Sequence, residues 1–214
     1  MAGELILSEV ATPSTPSSGK ESLYFTNATP SRLSRVDSNG VVYPEQEFFI
    51  ISLTADNTAP TNVNTAQAVF NTPSNGTVTL PASTSWEFDG CYFLTNTGTS
   101  SHTWGLLFGG GASLTSGSMF VTAVSTTSTA IAAVSQGVST SLGSAYTSTA
   151  ASTSATENVT FKIRGIVRIN AGGTFIPQFQ ASAATGVAPV IKTNSFFRMT
   201  PFGSNSATSL GPWT

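Results

Sequence analysis

Charge is what this sequence has least of. Only 8% of its 214 residues are Asp, Glu, Lys or Arg, where about a quarter is ordinary for a soluble domain. The net charge is −2, which gives no basic footprint for a phosphate backbone and excludes direct nucleic-acid binding. The single cysteine, Cys91, rules out an intrachain disulfide, and its place inside an apolar run predicts a buried, unreactive thiol. The single histidine, His102, lies between Ser101 and Thr103 and reads as an ordinary surface residue. No second His or Cys stands near it to build a metal site, so neither a metal nor any other cofactor is expected. No apolar run approaches the ~20 residues that span a bilayer, so no membrane insertion is expected. The opening residues Met1 to Val10 carry no basic region and too short an apolar run for a signal peptide. Synthesis in a cytosol is the expectation.

Catalytic signatures are equally scarce. No Gly-x-Ser-x-Gly elbow accompanies His102 and Asp89, so a serine-nucleophile triad has nothing to position its nucleophile. Glu87 and Asp89 stand two apart, as paired glycosidase carboxylates sometimes do. Alternation nevertheless sends both to the face opposite Trp86 and Phe88, where a solvated or interfacial role fits better. Gly109 to Gly111 has no lysine after it and reads as a strand-ending loop, not a phosphate cradle. The sequons at Asn27, Asn75 and Asn158 are what this much Ser and Thr produces by chance. The chain reads as a protein without enzymatic activity.

What the sequence does have is β periodicity. From Glu157 to Asn170, Val159, Phe161, Ile163, Gly165, Val167 and Ile169 fall on one face, and Thr160, Lys162, Arg164, Ile166 and Arg168 on the other. Period two over this length marks a strand with one buried face. Ala171-Gly172-Gly173 offers the positive-φ positions of a tight turn, and Phe175, Pro177 and Phe179 restart the pattern. A third run from Val190 to Phe202 carries Phe196, Phe197 and Met199. Earlier runs at 48–53, 67–70, 76–80, 85–94, 104–108 and 119–124 bring the total to eight to ten strands. Residues 125–156, almost wholly Ser, Thr, Ala and Gly, predict one or two exposed strands with loops. This inventory, with no convincing helix, predicts an all-β antiparallel sandwich or jelly roll over residues 46–214.

Residues 1–45 read as a separate segment. Nine of the eighteen charged residues fall within the first 47 positions. Leu5, Ile6, Leu7 and Val10 could add a strand to another sheet's edge. Thr12 to Gly19, with prolines at 13 and 16, is an extended linker. Glu21 to Asn27 and Arg32 to Tyr43 then predict two or three short strands, with Ser38-Asn39-Gly40 as a hairpin turn. So few short strands need their own copies or a partner surface for stability.

A resemblance rests on Gly76 to Pro81, Trp86 to Leu94, Trp104 to Gly110, Ile163 to Ile169 running into Gly172 to Gln180, and Ser195 to Pro201. These runs resemble a β-rich domain of tailed-bacteriophage virion proteins, among them capsid decoration (cement) proteins and the tips of tail or head fibres. Pro13 to Tyr24 followed by Val36 to Gly40 is similar to the tether before such domains. The resemblance covers most of residues 13–203. It implies a jelly roll assembled as a homotrimer and tied to the virion by its tether, with the major capsid protein or another tail or head structural protein as partner.

Two functions follow. In the first, the chain is a cement protein on the capsid surface. Strand addition by Leu5 to Val10 and burial of Leu23, Tyr24, Leu33 and Val36 would supply adhesion, multiplied by trimerisation. Lys162, Arg164 and Arg168, aligned on one strand face, read as a solvated outer sheet or as an electrostatic contact with an acidic neighbour. In the second, the chain is a receptor-binding tip whose loops 95–103, 109–117 and 136–156 meet a cell-surface glycan or protein. Exposed aromatics on those loops would favour the tip. A tether that starts at Met1, without a fibrous shaft, favours the cement protein.

Overall fold

The structure is a computed structural model that describes residues 9–10, 13–26, 33–36, 38, 42–44, 48–59, 63–71, 74–126, 131–147 and 149–206. Two compact units divide the chain, Met1–Phe48 and Phe49–Thr214.

Among the described residues the leading unit holds four short strands, Glu9–Val10 (β1), Ser22–Thr26 (β2), Leu33–Val36 (β3) and Val42–Pro44 (β4). They form one sheet in chain order. The β3–β4 pair is antiparallel with Val36 opposite Val42. β1 lies parallel to β2, with Val10 opposite Thr26.

The second unit opens with Phe49–Ser52 (β5), Asn57–Thr58 (β6), Gln67–Ala68 (β7) and Val78–Leu80 (β8). Then come Thr84–Asn96 (β9), Trp104–Gly109 (β10), Ser113–Thr126 (β11), Ile131–Ser139 (β12) and Tyr146–Thr147 (β13). Glu157–Ala171 (β14), Gly173–Ala181 (β15), Val190–Ile191 (β16) and Phe196–Ser204 (β17) complete it. Four of these thirteen strands have only two residues, and the nine longer ones match the expected eight to ten. The expected run Val190–Phe202 is broken over residues 192–195, where the Ser195 hydroxyl accepts from Phe93 N (3.0 Å) and donates to Lys192 O (2.8 Å). The expected strands of the 125–156 segment are β12 and β13.

Every pairing in this unit is antiparallel, and the strands make two sheets. The larger runs β12-β11-β14-β9, after which β9 is flanked by β16 with β6 along one half and by β17 with β5 along the other. The smaller runs β13-β10-β15-β7, with β8 also on β15. Alternating side chains from both sheets meet in one core. Phe88 of the larger sheet meets Phe108 of the smaller edge-on at 4.9 Å, and Phe108 stacks on Phe175 at 4.4 Å. The fold is thus an all-β antiparallel sandwich.

The Ala171-Gly172-Gly173 turn differs from expectation. β14 and β15 belong to different sheets, so the chain turns a corner there and makes no hairpin. Neither Gly172 nor Gly173 takes a positive φ. Close approach explains them: a Cβ on Gly173 would stand 2.7 Å from Ala112 N, and one on Gly172 2.9 Å from Ala82 N. The β10–β11 connection crosses between sheets at the same place, and Ala112 N donates to Thr174 O there (3.0 Å).

Candidate functional site

Alternation turns the even-numbered residues of β14 and the odd-numbered residues of β9 away from the core, and pairing aligns them across the larger sheet. One row reads Val138, Phe120, Arg164, Asp89, Arg198, Ile50, across β12, β11, β14, β9, β17 and β5. Its apolar ends are open to solvent, with Phe120 45%, Val138 61% and Ile50 58% exposed. Its middle is charged. Arg164 Nη2 donates to Glu87 Oε1 at 2.5 Å and Arg164 Nε to the same oxygen at 3.1 Å. Arg198 Nε donates to Asp89. The Glu87 carboxylate makes the Arg164 guanidinium harder still to deprotonate. At the far side of the face Lys192 pairs with Asp56, whose carboxyl is held below the usual range first by that hydrogen bond and then by Thr193 N–H.

All the exposed charge of the sandwich lies here. Between Asp89 and Glu157 the sequence has no Asp, Glu, Lys or Arg. The smaller sheet carries none on any of its strands. Of the charged residues after position 48, only Glu157 is absent from this outer face, because it is buried. The face therefore holds five cations (Lys162, Arg164, Arg168, Lys192, Arg198) against three carboxylates (Asp56, Glu87, Asp89). Among the described residues no carboxylate pairs with Lys162 or Arg168. Arg168 Nη1 instead donates to Ser85 Oγ (3.1 Å) and Ser206 O (2.9 Å). Phe120, Val138, Glu87, Arg164, Ile166 and Arg168 line an open cleft of about 600 Å³ on this face. All three predicted electrostatic residues, Lys162, Arg164 and Arg168, are thus together on one surface, and Arg164 and Arg168 share the cleft.

His102 is not the surface residue its polar neighbours suggest. It is 1% exposed, as is Glu157. Glu157 Oε2 faces His102 Nε2 at 2.9 Å and accepts from Trp104 Nε1 at 3.0 Å, with Asn96 Nδ2 at 3.5 Å. His102 Nδ1 faces the Ser100 carbonyl at 2.7 Å. The ring thus meets an oxygen at each nitrogen, the Glu157 carboxyl on one side and the Ser100 carbonyl on the other, with Asn96 Nδ2 also 3.3 Å from Nε2. Glu157 Oε1 has no hydrogen-bond partner. Enclosed in this way, the pair fastens the 97–103 loop to the start of β14 and is a structural clasp. Sequence reasoning missed Glu157, although its odd number places it on the same face as Val159 and Phe161.

Cys91 also departs from expectation. It is half-buried, on the outer face opposite Lys162, because its odd number sets it with Glu87 and Asp89. Burial pushes its thiol up, against a smaller downward pull from the Lys162 charge. Tyr92, its inward neighbour, is fully enclosed, and desolvation drives its phenol well above the usual range.

Of the residues expected to grip a partner, Leu5, Ile6 and Leu7 lie outside the described residues. Val10 and Leu33 sit in β1 and β3, with side chains outside the description. Within the single chain Tyr24 and Val36 are already buried, whereas Leu23 is 50% exposed. On the loops considered for a receptor, the one aromatic residue among Phe, Tyr and Trp is Tyr146, which is half-buried against the core. Parts of those segments are strand: 113–117 belongs to β11 and 136–139 to β12.

No protein-family model matches the chain, and no curated protein matches it.

Proposed function

We propose that this chain is a structural attachment protein of a large particle, and that the particle is a tailed-phage capsid which it decorates and stabilises as a trimer. The observation that carries this reading is the division of labour along the chain. A small leading unit holds half of all the charge and an exposed Leu23, apart from a sandwich that presents one charged face. Weak grips of this kind gain strength when several are linked in one assembly. The resemblance of 13–203 to virion β domains supplies the setting, with the major capsid protein as partner. A receptor-binding tip would want Trp and Tyr open on its connecting loops; those loops carry no Trp, and the half-burial of their one Tyr, Tyr146, favours the cement role. The test is deletion of residues 1–20. The truncated protein keeps its fold and trimeric state and no longer binds purified capsids. A truncated protein that still decorates them as the full chain does would refute the role given to the leading segment.

A further inference from the structure

The outer face of the larger sheet has two cations more than carboxylates, in a chain whose overall charge is negative. The compensating charge is in one place. Residues 1–48 carry six carboxylates (Glu4, Glu9, Glu21, Asp37, Glu45, Glu47) against three cations (Lys20, Arg32, Arg35), a net of −3. One of those carboxylates, Glu21, pairs with Arg35 at 2.7 Å, and three cations cannot balance six carboxylates. The two regions also match in apolar character. Phe120 and Val138 flank the cationic strip, and Leu23 stands open on the leading sheet.

We propose that this outer face is the docking surface for the acidic leading segment, residues 1–48, of a second copy of the chain. The face would not suit a copy of itself, because Lys162 and Arg168 would meet their own like charges across a symmetric contact. It suits a surface of opposite sign. Arg164 and Arg198 already hold Glu87 and Asp89, so the charge left to attract a partner is that of Lys162 and Arg168. A contact between unlike patches is head-to-tail, and repeated copies close it into a ring or extend it as a chain. The inference stands apart from the attachment reading. Copies that associate but bind no capsid would sink that reading alone, and copies that bind capsids without this contact would sink this one alone.

The experiment is charge reversal on the full chain, followed by sedimentation, with circular dichroism to confirm that each variant is folded. One variant carries Lys162→Glu and Arg168→Glu on the face; a second carries Glu45→Lys and Glu47→Lys in the leading segment. The wild type associates, and more weakly as salt rises from about 0.05 to 0.5 M. Each variant alone associates at least about tenfold more weakly, because like charges now face each other. Mixing the two variants restores association, since each then offers the other an opposite surface. A chain carrying all four changes associates as the wild type does, which separates lost attraction from a damaged fold. A wild type that sediments as a 22 kDa species at micromolar concentration overturns the proposal. So does association indifferent to the reversals, or a mixture no stronger than its components, the outcome expected if each segment docks on its own chain or the face meets another protein.

Discussion

Glu157→Ala should be among the most damaging single changes in this protein. The carboxylate is the shared acceptor for Trp104 Nε1 and the partner of His102 Nε2, at 3.0 and 2.9 Å, and it also faces Asn96 Nδ2. Trp104 is wholly enclosed and His102 is 1% exposed, so bulk water cannot replace the lost oxygen without opening the end of the sandwich. Each buried polar group left without its partner costs about 1–3 kcal/mol, so the loss for Trp104 and His102 together is about 2–6 kcal/mol. For a domain of this size that lowers the melting temperature by ~4–24 °C. Glu157→Gln should cost less. An amide oxygen can still accept from Trp104, and the amide nitrogen takes the position where Glu157 Oε1 has no partner.

The assay is urea unfolding followed by tryptophan fluorescence, because Trp104 reports directly on the clasp. The expected order of stability is wild type, then Gln, then Ala at 157. A double-mutant cycle with His102→Gln then isolates the pair, and the coupling should exceed about 0.5 kcal/mol for residues in direct contact. An alanine variant within about 1 kcal/mol of wild type would refute the claim that this carboxylate is a buried keystone.

Other perturbations test other parts of the packing. Gly165→Ala should destabilise by about 1–3 kcal/mol, because a Cβ there would stand 2.0 Å from Ser118 O and 2.6 Å from Phe88 Cζ; equilibrium unfolding measures it, and a neutral result means that β11 and β14 can part freely. Cys91 should react with iodoacetamide at pH 8 several-fold more slowly than in urea-unfolded chain, since burial raises its thiol pKa and lowers the thiolate fraction. Equal rates in the two states would show that its half-burial protects nothing.

Alternation made the strands of the sandwich legible, because a two-residue period is a local property of the sequence. The same pattern correctly put Glu87 and Asp89 on the side away from Trp86 and Phe88. It says nothing of which strand pairs with which, so the Gly172 corner reads as a hairpin until the sheets are known. His102 and Cys91 were misjudged for a shared reason. Each was assigned by the polarity of its immediate neighbours, when side-chain direction is set by register. Cys91 keeps step with Asp89 and Glu87 and so faces outward. His102 lies in a loop, fixed by a single antiparallel bridge to Ser152 that no alternating pattern announces, and its buried partner is Glu157, placed inward more than fifty residues later. The charged face shows the limit from the other side. Lys162, Arg164 and Arg168 could be aligned from one strand, but Arg198, Lys192 and Asp56 join them only through β16 and β17.

The confinement of charge to one face is not explained by what the charges do for folding. The Arg164 and Glu87 side chains are 74% and 40% exposed, and ion pairs so open to water add little to stability and are weakened by salt. Solubility would be served as well, or better, by charges scattered over both sheets. Instead the smaller sheet shows water only uncharged side chains such as Gln178, Gln180 and Thr174, so the sandwich by itself presents its charge in one direction. A body built in this way would meet an acidic partner in one orientation, with the Phe120 and Val138 edge brought along by the pairing of β11 with β12. Moving the same cations to the smaller sheet would leave net charge unchanged and remove that orientation. If the face exists for recognition, such a relocated variant, still folded and equally soluble, should lose association as fully as one in which the charges are reversed.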